Sequence, residues 1–195
     1  MSGKLKKRQE EILEAALNLL AQGGSYALTI RNLAKVLDIT EPALYRHFES
    51  KKDLLMALYG FTWQKMESRL LPLTEKEIDP IEKLTVFLHA SFGYLTENRG
   101  VNLVLLSEAI HHNDPDLKKA MFALISNFQD LIRKILHQGV AKGALREDME
   151  LKIASRLVLG FFQSTVTISL LTEEPWEASK VIGPFLKIFL EGAKR

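Results

Sequence analysis

Three groups of side chains in this sequence have the types and spacing that chemistry requires. The first lies near the N-terminus: Thr29 and Arg31, then Thr40, Glu41, Pro42, Tyr45, Arg46, His47 and Lys51. Hydroxyl, guanidinium, imidazole and ammonium groups donate hydrogen bonds to phosphate oxygens, and a carboxylate accepts from the exocyclic amine of cytosine. The second group is aromatic: Phe87, Phe92, Phe122, Phe128, Phe161 and Phe162, with His89 and Gln163 among them. Small-molecule pockets are built from aromatic walls and a few polar groups, although each of these rings serves equally well as simple core. The third, "EAIHHNDPDL", offers His111, His112, Asp114 and Asp116. Adjacent histidines point to different sides of a helix, whereas an i, i+4 pair converges, and a helix end followed by an Asp-Pro turn explains the run. No metal site is expected there. With no cysteine, no phosphate-cradling glycine loop and no paired-histidine motif, nothing points to an enzyme or to a cofactor.

The elements that must hold these groups are helices. Apolar residues recur with a period near 3.6 and no sustained alternation of period two appears, so the fold class is all-α. A first helix is expected from Leu5 to Gln22, with Ile12, Leu13, Ala16, Leu17 and Leu20 on one face and Gly23-Gly24 ending it. Thr29 caps a short helix carrying Ile30, Leu33, Ala34 and Leu37; Thr40 caps another, with Pro42 in its first turn. "SKKD", Ser50 to Asp53, is a capping-box-like start for a longer helix from Lys51 towards Leu71. Further helices are expected over Pro80–Thr96, Asn102–His111, Asp116–Lys142, Met149–Leu171 and Pro175–Ala193, the last kinked or interrupted by Gly183-Pro184. This divides the chain into residues 1–50 with a linking helix over 51–71, and a helical second domain over 72–195.

Helices of barely two turns are marginal alone, so two of them joined by "LDIT" need a geometric reason to be short. A helix-turn-helix supplies one, because its second helix enters a DNA major groove and needs only a few turns to do so. Leu44 and Phe48, four residues apart, then face inward, and Glu41, Pro42, Tyr45 and Arg46 face out. The first turn of that helix would meet base edges, while Tyr45, His47 and Lys51, with Thr29 and Arg31, would donate to phosphates. On spacing alone, a helical hairpin with a merely solvated surface fits as well. Charge placement adds a little: the net charge is +2, and residues 54–195 are balanced, so the whole excess lies at the N-terminal end. A solvated tail explains that excess equally.

The segment "LTIRNLAKVLDITEPALYRHFESKKDLL" resembles the DNA-binding domain of the TetR family of bacterial transcriptional repressors. The shared positions are Thr29, Ala43, Leu44-Tyr45, His47-Phe48, Ser50-Lys51, Asp53 and Leu54, and the likeness covers residues 5–60. The resemblance implies a homodimer that binds a palindromic operator in double-stranded DNA and releases it when a small molecule enters the C-terminal domain. It assigns Thr29, Tyr45 and Lys51 to phosphates and the Thr40–Arg46 surface to base reading. Two positions depart from the pattern: Asp38 stands where many relatives have Gly, and Glu41 replaces residues that are often neutral or basic. Aspartate tolerates the left-handed conformation that the turn needs.

Beyond residue 60 the reading rests on physics. "LVLGFFQSTVTISLLT", Leu157 to Thr172, carries no charge. It is too short and too interrupted by Gln163, Ser164, Thr165, Thr167 and Ser169 for a membrane span, so burial against a second copy is expected, through residues 149–193. An ordinary intrachain core is the alternative, and the family resemblance implies a four-helix dimer bundle. A small, largely apolar effector is expected against Phe87, His89, Phe92, Phe128, Phe162 and Gln163. "MSGKLKKRQEEILEAA" turns amphipathic and acidic where a signal peptide would have its apolar core, which with the absence of cysteine points to the cytoplasm. The combined reading is a ligand-responsive repressor; a TetR-like dimeric interaction protein without sequence-specific DNA binding is the rival.

Overall fold

The computed structural model describes residues 6–172 and 177–192. They form nine α-helices: α1 Lys7–Ala27, α2 Ile30–Val36, α3 Glu41–Tyr45, α4 Lys51–Thr74, α5 Pro80–Glu97, α6 Val101–His111, α7 Pro115–Ala141, α8 Leu151–Thr172 and α9 Ala178–Glu191. Among the described residues there is no strand, in agreement with the all-α expectation.

Two compact units emerge. The first contains the chain up to Lys65 together with Asn98–Leu124; the second contains Met66–Glu97 and everything from Ile125 onward. Residues 98–124, which follow α5 in sequence, share their contacts with the N-terminal helices. The reason is packing: α6 lies against α1, buries Val101, Leu105, Glu108 and Ala109, and receives a hydrogen bond from the buried Tyr59 hydroxyl of α4 to the Leu105 carbonyl, at 3.0 Å.

Within the first unit, α1 buries Ile12, Leu13, Ala16, Leu17 and Leu20 as its periodicity requires. The break falls at Gly24 (φ 63°, ψ −159°), but a further short helical stretch continues to Ala27, so the glycine pair interrupts α1 without ending it. Leu5, the expected start, lies outside the described residues. The α2–α3 turn closes by a Schellman motif: the Ile39 amide donates to the Ala34 carbonyl (3.0 Å) and that of Asp38 to Lys35 (3.3 Å). Asp38 takes the left-handed conformation this needs, with φ 51°. The caps read from sequence are present. Thr29 Oγ1 accepts from the Asn32 amide at 3.0 Å, Thr40 Oγ1 from Ala43 at 3.4 Å, and Ser50 Oγ from Asp53 at 3.0 Å.

In the second unit, α5 packs on α9. Buried Lys83 on α5 donates to the Thr74 carbonyl at the end of α4 (3.2 Å) and to Gln138 Oε1 on α7 (2.7 Å). Placing an ammonium against the C-terminal carbonyls of a helix satisfies both charges. Helix α7 ends at Gly143 (φ 69°) in a second Schellman turn, and Leu145 folds back so closely that a Cβ on Gly139 would meet its Cδ1 at 2.6 Å.

Two further helices differ from expectation. Helix α4 runs through Pro72 to Thr74, and α9 runs uninterrupted through Gly183-Pro184. Pro184 is exposed, off the face that buries Ile182, Leu186 and Leu190, so its ring does not disturb that packing. Helix α8 buries Ala154, Ser155, Val158, Phe162 and Val166 in its own unit while Ile153, Leu157, Ile168, Leu170 and Leu171 remain exposed. It is the one helix among the described residues long and apolar enough to cross a membrane.

Candidate nucleic-acid interface and aromatic cluster

Helices α2 and α3 are carried by one apolar wedge. Leu28, Leu33, Ala34, Leu44 and Phe48 are buried, with Leu54, Leu55 and Leu58 of α4 behind them. Burial of this side fixes the other. Thr29, Arg31, Thr40, Glu41, Pro42, Tyr45 and Arg46 are all exposed, and His47 and Lys51 are half-buried. The structure thus brings all nine residues of the first group onto one unit. Helix α3 is a single turn and a half: Arg46 is its C-cap, and His47 stands just beyond it, with its carbonyl accepting from Gln9 Nε2 at 3.4 Å.

Electrostatics separate the two lysines at the start of α4. Lys52 is bound twice, to Asp114 Oδ2 at 2.8 Å and Asp116 Oδ2 at 2.6 Å. The hydrogen bond with Asp114 raises the ammonium's pKa and holds that carboxyl below its ordinary range. Asp114 also caps α7, accepting from the Asp116 and Leu117 amides. Lys51 has a looser partner, Glu108 Oε2 of α6 at 3.7 Å, and the same oxygen lies 3.2 Å from His112 Nε2. His111 and His112 stand with their rings 5.9 Å apart. The run that raised the question of metal is thus engaged in helix capping and ion pairs.

Sequence reading missed Glu108, the single acid of α6; His112 four residues on was a local clue to one of its partners, whereas nothing nearby points to Lys51.

The aromatic residues of the second unit converge. Phe87 and Phe128 lie 5.8 Å apart, Phe128 and Phe162 5.7 Å, and Phe162 and Phe92 4.4 Å, ring centre to ring centre. Phe161 meets Phe92 edge-on at 5.5 Å and stacks on Phe185 of α9 at 4.0 Å. Gln163 is half-buried beside Phe162. Two residues do not join them. His89 is exposed, because two positions along a helix from Phe87 is more than half a turn away. Phe122 is exposed and belongs to the first unit.

Residues 12–58 match the family described as bacterial regulatory proteins, tetR family, and residues 77–167 match the tetracyclin repressor-like C-terminal domain. The chain belongs to the TetR family. The nucleoid occlusion factor SlmA of Marinobacter nauticus is 30% identical over 146 residues, 75% of each chain. The fatty acid metabolism regulator protein of Bacillus subtilis is 19% identical over 93% of each. Among solved structures, the fatty acid degradation regulator FadR of Bacillus halodurans superposes with a TM-score of 0.84 at 17% identity, covering 97% of this chain and 98% of that one. FadR of Bacillus subtilis in complex with stearoyl-CoA superposes with 0.80 at 21% identity, covering 96% and 99%. As a TetR-family regulator, this chain carries a DNA-binding helix-turn-helix within residues 12–58 and the family's C-terminal helical domain over residues 77–167.

Proposed function

We propose that this TetR-family regulator is a repressor that binds a palindromic operator as a homodimer and leaves it when a largely apolar effector binds. The observation that carries this reading is the exposed face of α3 and its flanks, Thr40 to Arg46, presented by a fully buried Leu44 and Phe48. A short helix held rigidly from behind with hydroxyl, carboxylate and guanidinium groups in front suits a major groove. Thr29, Arg31, Tyr45, His47 and Lys51 ring that face and are assigned to phosphates. The effector site is assigned to the wall of Phe87, Phe92, Phe128 and Phe162, with Gln163 as its polar group. Given the stearoyl-CoA bound by the Bacillus subtilis structure, a long-chain acyl thioester is the first effector to try.

The test is a binding titration on the intergenic DNA upstream of the gene, over a salt series. Lys51→Ala and Tyr45→Phe should weaken operator and unrelated duplex by similar factors, and Lys51→Ala should lower the salt slope by about one unit. Glu41→Gln should instead change the consensus selected from random DNA. An identical consensus would remove Glu41 from base reading. No preference for any sequence would favour the rival reading, a TetR-like interaction protein. Stearoyl-CoA at saturation should lower operator affinity roughly 5–150-fold, and Phe92→Asn or Phe162→Asn should blunt that response.

A further inference from the structure

Helix α6 reads "VNLVLLSEAIH", and its only acid, Glu108, faces inward with its side chain 4% exposed. A carboxylate withdrawn from water needs compensating charge or hydrogen bonds. Tyr59 faces it from α4, and the Glu108 charge helps raise that phenol's pKa, second to burial. The Tyr59 hydroxyl, however, donates to the Leu105 carbonyl. The nitrogens that meet Glu108 Oε2 are the Lys51 ammonium and His112 Nε2.

At 3.7 Å the Lys51 contact is longer than a charge-assisted hydrogen bond. The ammonium is drawn toward Glu108 without being held there, and its side chain remains 36% exposed. Lys52, one residue on, is bound to two aspartates. Of the two lysines at the start of α4, Lys51 is therefore the one able to turn to another anion.

We propose that Glu108 is a positioning residue that sets DNA affinity by competing with phosphate for the Lys51 ammonium. This rests on the assignment of Lys51 to phosphate. When Lys51 turns to DNA, the buried carboxylate loses part of its counter-charge, and that loss is subtracted from binding. Replacing the carboxylate by the isosteric amide removes the competition. Because phosphates carry no sequence information, the gain is the same for operator and for unrelated duplex.

The experiment is a double-mutant cycle on the full chain with wild type, Glu108→Gln, Lys51→Ala and the double variant. Each is titrated with a duplex from the upstream region and an unrelated duplex at fixed salt. Glu108→Gln should bind both about 2–5-fold tighter, as expected for losing one half-exposed ion pair. In the Lys51→Ala background the same substitution should change affinity less than twofold. A gain of equal size without Lys51 would mean simple repulsion between Glu108 and DNA, and overturns the proposal. So does no gain, or a loss, in Glu108→Gln while Lys51→Ala binds weakly. If Lys51→Ala itself binds with wild-type affinity and salt slope, the phosphate assignment of Lys51 is what fails. Should Glu108→Gln melt far below the wild type, Glu108→Asp serves. It keeps the charge but withdraws it by about one bond, 1.5 Å, and should gain roughly twofold; no gain overturns the proposal.

Discussion

The exposed apolar side of α8 and α9 makes the sharpest prediction, because its size can be worked out from the structure. Ile153, Leu157, Phe185, Ile188 and Phe189 line one open groove in the second unit, with Leu157 58% and Ile188 72% exposed. If a second copy covers this groove, each of these two side chains completes its burial only in the dimer. Full burial of a leucine or isoleucine is worth about 1.5–3 kcal/mol, so these exposures leave roughly 1–2 kcal/mol per residue to be gained. A two-fold interface uses every residue twice. Leu157→Glu together with Ile188→Glu should therefore weaken dimerisation by at least about 4 kcal/mol, roughly a thousandfold in Kd, before the cost of burying the new carboxylates is added. Sedimentation velocity from nanomolar to micromolar protein reads this directly, with circular dichroism to establish that the variant monomer is folded. A well-folded wild-type monomer at micromolar concentration would refute the reasoning, and so would a double variant that sediments as the wild type does.

Two further outcomes test the interior. Lys83→Met should lower stability by about 1–3 kcal/mol, measured by urea denaturation, because the end of α4 loses its ammonium and Gln138 Oε1 its donor; Lys83→Met in a Gln138→Leu background should cost less than it does alone. Burial pushes the Tyr59 and Tyr94 phenols up to about 12 from an ordinary value of 10. Between pH 10 and 12 the unfolded chain releases these protons while the folded chain keeps them, so stability is intact below pH 10 and falls as pH rises through that window. The slope is at most about 1.4 kcal/mol per pH unit for each tyrosine, and denaturation curves of Tyr59→Phe should show a shallower alkaline loss than the wild type.

What the sequence by itself determined is the helix-turn-helix, and the reason is locality. The caps at Thr29, Thr40 and Ser50 each act on an amide three residues away, and the left-handed turn at Asp38 closes on carbonyls of the helix just before it. The inward placement of Leu44 and Phe48 follows from a spacing of four, and once they are buried the outward face from Thr40 to Arg46 is decided too. Such features are written in neighbouring residues and can be read without knowing what packs where.

Only the tertiary structure decided the rest. Nothing near Glu108 announces Lys51, and nothing near Lys52 announces Asp114 and Asp116; those pairs exist because α6 and the start of α7 pack with the N-terminal helices. The same packing gives residues 98–124 their contacts with the N-terminal helices. In the second unit, the phenylalanines could be listed from sequence but not sorted. Phe87 and Phe92 went inward and met Phe128 and Phe162, while Phe122 stayed exposed in the first unit, because which side of a helix is covered depends on the other helices around it. Pro184 makes the same point in reverse: a local rule favoured a break in α9, yet the helix runs through it, with Pro184 off the face that buries Ile182, Leu186 and Leu190.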